Sequence, residues 1–232
     1  MALRKMTRLR KRRLRKREAM RLEILRRAAA AFRDFGYHSA SMEDIARALH
    51  MTKGNLYHYF NNKEEILFFC HDYFMDRLLK LLRNVERGEQ PPQVKLRQVI
   101  SGFVQVTVDQ TGLSFEVKMI SGPRRRRILR KRDIFERGIR RIIQSGMETG
   151  VFRPGDPKLR AFAILGSLNW ISMWFDSLGE HEPVEISEAF VDCFMAGLLT
   201  DPVRRQSDRS DRSKRAIRAA VARNGKNPRG QP

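Results

Sequence analysis

From residue 18 to about residue 200, apolar side chains recur every three or four positions, and no run alternates long enough to offer a pair of strands. That spacing admits helices and little else, so the chain is expected to be all-α. Gly36, Gly88 and the Pro91-Pro92 pair are the breaks that fix where a helix must stop. With 232 residues, 41% of them hydrophobic, there is material for a small head and a larger body, each with its own core.

The first helix is expected from Glu18 to Phe35, with Leu22, Leu25, Ala28, Ala29 and Phe32 on one face and Gly36 as its C′ residue. Ser41 reads as the N-cap of a second helix, Met42 to Leu49, whose Ile45, Ala46 and Leu49 face inward. A turn at His50 and Met51 leads to a very short third helix from Thr52 to Tyr59. Asn61 or Asn62 caps a fourth that runs from Lys63 to about Arg87. Further helices are expected at about 92–110, 112–120, 124–149, 156–178 and 184–199. The resulting divisions are a basic arm (1–17), a head (18–65), a helical body (66–200) and a basic tail (201–232).

Charge narrows the partners. The formal net charge is +21, a field that draws in nucleic acid, an anionic surface or phosphate-bearing ligands. Residues 1–17 hold ten basic side chains and no acidic one, and self-repulsion is expected to keep that run unfolded until it meets a polyanion, as in the tail. The basic start is followed by Glu18 and an amphipathic stretch, not by the apolar core of a secretory signal. No run of about 18 apolar residues exists, so no membrane partner is expected. Two distant cysteines, Cys70 and Cys193, suit a reducing cytoplasm and make neither a disulfide framework nor a zinc site. The five histidines lack metal-ligand spacing, and neither a nucleophile elbow nor a phosphate loop appears, so no enzyme, metal or cofactor is expected.

Two short helices joined by a tight turn form a helix-turn-helix, whose second member fits the major groove, roughly 12 Å wide. Here Ala46 is small where the two helices touch, while Ile45, Leu49 and Leu56 can close a small core against Leu25 and Phe32. Thr52, Lys53, Asn55, Tyr57 and His58 are left facing outward. Asn pairs with adenine and Lys with guanine, Tyr and Thr reach phosphate oxygens, and Lys63 is expected to add a phosphate contact. The full DNA-facing set is Ser41, Met42, Glu43, Thr52, Lys53, Gly54, Asn55, Tyr57, His58, Tyr59 and Lys63.

The run from Gly36 to Leu67, and above all Lys-Gly-Asn-Leu-Tyr-His-Tyr-Phe-Asn-Asn-Lys-Glu-Glu-Ile-Leu from Lys53 onward, resembles the signature of the TetR family of transcriptional regulators. The one departure is His50, where that family usually places Gly; His tolerates left-handed backbone better than most residues. The resemblance implies a repressor that binds a palindromic operator on double-stranded DNA as a homodimer. A non-specific nucleic-acid packaging protein is the rival reading, given the two basic ends.

The same resemblance implies a body that holds a small hydrophobic effector and pairs its last two helices with a second subunit. Ala163, Gly166, Ser167 and Trp170 follow a small-residue spacing that suits close helix approach, although the same positions could serve an ordinary core. The expected effector-lining set is Phe69, Phe74, Phe103, Val106, Phe115, Met119, Arg124, Arg125, Phe135, Ile139 and Trp170. The run Arg124 to Arg132 is either a solvated face or an anchor for phosphates. Gly150-Val-Phe-Arg-Pro and Leu168-Asn-Trp-Ile-Ser-Met-Trp-Phe resemble the bodies of TetR regulators of fatty-acid and sterol catabolism, which implies an acyl-CoA thioester as one candidate effector and a non-CoA apolar molecule as the other.

Overall fold

A computed structural model of the protein describes residues 2–109, 116–176 and 178–200, except for the side chains of residues 2–15, 33, 34 and 116. The described helices are α1 (Ala2–Phe35), α2 (Met42–Ala48), α3 (Lys53–Tyr57), α4 (Lys63–Arg87), α5 (Pro92–Asp109), α6 (Gly122–Glu148), α7 (Pro157–Trp174) and α8 (Pro183–Leu198). A 3-10 turn at Glu116–Met119 precedes α6, and the only β pairing among the described residues is an isolated bridge between Phe152 and Leu199. The chain is all-α.

Two expectations need correction. The basic arm is helical: α1 begins at Ala2, not Glu18. Residues 1–17 contain no Gly or Pro and are mostly Arg, Lys, Leu and Met, which are strong helix formers. Extending a helix already nucleated adds a hydrogen bond per residue, whereas like-charge neighbours cost only ~0.2–0.5 kcal/mol per pair. The helix expected at 112–120 shows only as the short 3-10 turn, with residues 110–115 outside the described range, as is the tail beyond residue 200.

Local chemistry sets the helix ends in the head. The Ser41 hydroxyl accepts from the Asp44 amide, and the Asp44 carboxylate accepts from the Ser41 amide at 3.0 Å, which forms a capping box. At the other end of α2, the His50 amide donates to the Arg47 carbonyl and the Met51 amide to the Ala46 carbonyl, both at 3.0 Å. These are the two bonds of a Schellman motif, and His50 sits at its C′ position with φ of +53°. The left-handed turn normally given to glycine is made here by histidine.

The apolar residues sort into two cores. One joins Ile24, Phe32, Ile45, Leu56, Phe60 and Ile66 to Val117, Ile120 and Ile128. The other surrounds Leu78, Leu82, Ile100, Phe103, Ile139, Ile164 and Met195. Helix α4, about 37 Å long at 1.5 Å per residue, contributes to both, changing cores between Cys70 and Met75. The head's core therefore reaches past residue 65 and takes in the start of α6.

Helices α4 and α6 run parallel and are laced by polar pairs. Ser121 donates to Glu64 and Arg124 to Glu65. Arg127 forks onto Asp72 at 2.9 and 2.8 Å, Lys131 donates to Asp72 and Asp76, and Arg141 donates to Glu86. Further along, Gly138 lets the two backbones approach, since a methyl group there would overlap the buried Leu82 side chain. The acidic stripe on α4 pairs with Arg124, Arg127 and Lys131, three of the seven cations between Arg124 and Arg132.

Candidate DNA-reading head and effector cavity

The recognition helix α3 is held by its neighbours and leaves its polar residues outside. Thr52 caps it, accepting from the Asn55 amide at 3.2 Å, and Leu56 anchors it with no exposed surface. Thr52, Lys53, Gly54, Asn55, Tyr57 and His58 are all exposed, and Tyr59 is half-buried against the head's core. Tyr57 is 44% exposed, a large aromatic left uncovered beside polar groups able to meet phosphate and base edges.

Other residues of the expected set have different surroundings. Met42 is buried in the head's core, and the Ser41 hydroxyl is engaged in its cap. Lys63 does not point to open solvent. Its ammonium donates to the carbonyls of Tyr37 and His38, both at 2.9 Å, and of Ala40 at 3.2 Å, and lies 4.7 Å from the Tyr37 ring centroid. It ties the start of α4 to the segment after α1. Glu43 bonds Lys53 across the two helices, and each holds the other charged: the carboxyl is lowered by that hydrogen bond and the ammonium raised by it.

A cavity of about 740 Å³ opens among α4, α5, α6 and α7. Phe74, Met75, Leu78, Phe103, Phe135, Phe162 and Leu165 form its apolar wall. Arg132, Arg137, Arg140 and Lys158 bring positive charge to it, against the carboxylates of Asp133 and Glu136. Of the expected lining residues, Phe74, Phe103 and Phe135 meet in this cavity. The others are placed elsewhere: Val106 and Ile139 are packed in the body core, while Phe69 and Met119 sit against the head's core. Trp170 is 57% exposed on α7, Arg124 and Arg125 lie on the first turn of α6 beside the head, and Phe115 lies outside the described residues. Of the basic residues at the cavity, Arg132 ends the run singled out above as a possible phosphate anchor, whereas Arg137, Arg140 and Lys158 escaped the sequence reading, although Arg132, Glu136 and Arg140 fall at four-residue intervals around Phe135 and so share a helix face.

One turn of α4 towards the head from Phe74 and Met75, His71 is 2% exposed and its Nε2 has no hydrogen-bond partner among the described residues. Burial, with the charge of Arg132 nearby, pushes its pKa down to about 3, so the imidazole is neutral. Burial pushes the Cys70 thiol up, which leaves it inert. Among the described residues, no cluster of His, Cys, Asp or Glu could hold a metal, and no helix is long and apolar enough to cross a membrane.

A short capped helix that presents exposed polar residues, braced by two others and joined by one long helix to a cavity-bearing body, defines a helix-turn-helix regulator of transcription. Residues 24–68 match the family of bacterial regulatory proteins called tetR, and residues 89–198 match the tetracyclin repressor-like C-terminal domain. PfmR, a TetR family transcriptional regulator from Thermus thermophilus, shares 30% identity and a TM-score of 0.68, over 76% of this chain and 99% of that one. The repressor KstR2 of Mycobacterium tuberculosis is 23% identical over 191 residues, 78% of this chain and 94% of its own. AibR, solved in complex with isovaleryl coenzyme A and operator DNA, shares 28% identity and a TM-score of 0.65, over 75% of this chain and 96% of that one. The chain belongs to the TetR family: it is a transcriptional regulator and not an enzyme.

Proposed function

We propose that the protein is a dimeric repressor whose operator is released when the cavity takes an apolar effector bearing negative charge, with an acyl-CoA thioester as the leading candidate. The cavity carries this reading. Its wall of Phe, Met and Leu suits an acyl or ring system, and its four cations outnumber the two carboxylates beside them. The anchor is therefore Arg132, Arg137, Arg140 and Lys158 in place of Arg124 and Arg125, which lie at the head. AibR, crystallised with isovaleryl coenzyme A and operator DNA, supplies a relative that binds a ligand of this chemistry.

Dimerisation is supported by a second apolar face on α7. Leu159, Phe162, Ala163, Gly166, Trp170, Met173 and Trp174 are all exposed and recur at helical spacing, opposite the buried Ala161, Ile164, Leu168 and Ile171. A lone recognition helix reads too few base pairs to select a site, and a two-fold axis doubles the reading. Helix α4 supplies the coupling, because Phe74, Met75 and Leu78 line the cavity while Lys63 at its other end fastens the head. An effector that shifts α4 moves two recognition helices off major grooves ~34 Å apart, and linkage requires the DNA-free form to bind that effector better by the same factor.

The deciding experiment is calorimetry with paired free acids and CoA thioesters, alongside an operator shift assay. Thioesters should bind at least tenfold more tightly than their acids, release the operator, and lose that advantage in Arg137→Gln/Arg140→Gln. Equal binding of acids and thioesters would assign the cavity to an uncharged apolar effector instead. Sequence-indifferent DNA binding, unaffected by Tyr57→Ala and Lys53→Ala, would refute the repressor reading itself.

A further inference from the structure

The arginine run that opens α6 divides by face. Arg124, Arg127 and Lys131 turn towards α4 and bond its carboxylates. Arg125, Arg126 and Arg130 face outward, exposed, and no carboxylate among the described residues pairs with them. Unpaired like charges in a chain of net charge +21 repel one another and add nothing to folding, so a polyanionic partner is the natural reason for them.

Their place in the fold says which polyanion. Val117, Ile120 and Ile128 are buried in the same core as Ile45 and Leu56, which seat the helix-turn-helix. Arg124 donates to one oxygen of Glu65, and the other oxygen accepts from the Asn61 amide at 2.7 Å. Asn61 lies in the turn that leaves α3, so one carboxylate joins the first turn of α6 to the exit of the recognition helix. The outward arginines are thus carried rigidly by the head, although they belong to a helix of the body.

We propose that Arg125, Arg126 and Arg130 form a second DNA contact, gripping backbone phosphates that flank the bases read by α3. This rests on the reading of the head as DNA-binding. Arginine forks suit phosphate oxygens, and each phosphate neutralised on duplex DNA adds ~0.9 to the slope of log affinity against log salt. Three arginines then account for a slope of up to ~2.7 per protomer. Such contacts carry no base information, so operator and unrelated DNA should weaken together.

The test uses the full chain with Arg125→Gln, Arg126→Gln and Arg130→Gln combined. The expected result is an unchanged melting temperature and oligomeric state, a salt slope flatter by about two to three units per protomer, and lost footprint protection at the outer edges of the operator only. The preference for operator over scrambled duplex should stay as it was. An unchanged slope and footprint overturns the inference. So does a variant that binds DNA normally but loses binding to phosphatidylserine vesicles, an outcome for which Leu129, 39% exposed between these arginines, gives reason to look. A wild-type protein with no operator preference would instead fail the repressor reading, and the salt slope would still report on the arginines.

Discussion

Replacing Lys63 with Met keeps the side chain's stem and removes its charge, which isolates what the ammonium does. In the structure it serves three carbonyls, Tyr37, His38 and Ala40, within 3.2 Å, and sits over the Tyr37 ring. Hydrogen bonds to a charged group are worth ~1.5–3 kcal/mol each when dry. Lys63 is only half-buried, however, and water can reach at least part of the vacated carbonyl surface. We therefore expect a net loss of about 1–2 kcal/mol, or a fall in melting temperature of about 2–8 °C for a chain of this size. Calorimetry gives that figure directly, and operator titration across a salt series gives the other half. A lysine that merely touched phosphate would leave stability unchanged and lower the salt slope by ~0.9 per protomer. A melting temperature unmoved in Lys63→Met, with a reduced slope, would refute the assignment of Lys63 as a fastener.

Two further changes probe α4 and its partner. His71 has a folded pKa near 3 against an ordinary 6.5, so between those values the unfolded chain binds the extra proton. Stability from this residue is complete above pH 6.5 and erodes as pH falls towards 3, by about 2 kcal/mol at pH 5. His71→Leu should lose that part of the acid sensitivity in urea titrations at pH 7 and pH 5, and an equal pH dependence in both proteins would contradict the burial argument. Gly138→Ala should destabilise by ~1–3 kcal/mol, because the added methyl meets Leu82, which is 2% exposed and closely packed. A neutral result by denaturant unfolding would mean that α4 and α6 are not in close contact there.

Much of the head was legible because its signals are local. Ser41, Asp44, Thr52 and Asn62 cap helices through atoms three residues away, and such spacing is written directly in the chain. The left-handed turn at His50 was legible for the same reason. The cavity was less so. Apolar periodicity marks Val106, Ile139 and Phe74 alike as inward, yet it does not distinguish a side chain packed in a core from one bordering a void. Phe69 and Phe74 are five residues apart on one helix and belong to different cores, because α4 passes from one to the other between them. The arginine run could not be assigned either, since its partners Glu65, Asp72 and Asp76 lie more than fifty residues away in the chain.

The placement of Val117, Ile120 and Ile128 inside the head's core bears on how such proteins can be recombined. A graft cut after residue 70 would carry α1 to α3 intact and still leave bare the apolar surface those three side chains cover. The transplantable unit is discontinuous: residues up to about Cys70 together with the 116–128 segment, which a crossover within α5 would separate. Exchange of DNA specificity between relatives is thus easier by substitution on the outer face of α3 than by swapping whole heads, since Thr52, Lys53, Asn55, Tyr57 and His58 are exposed and support no core.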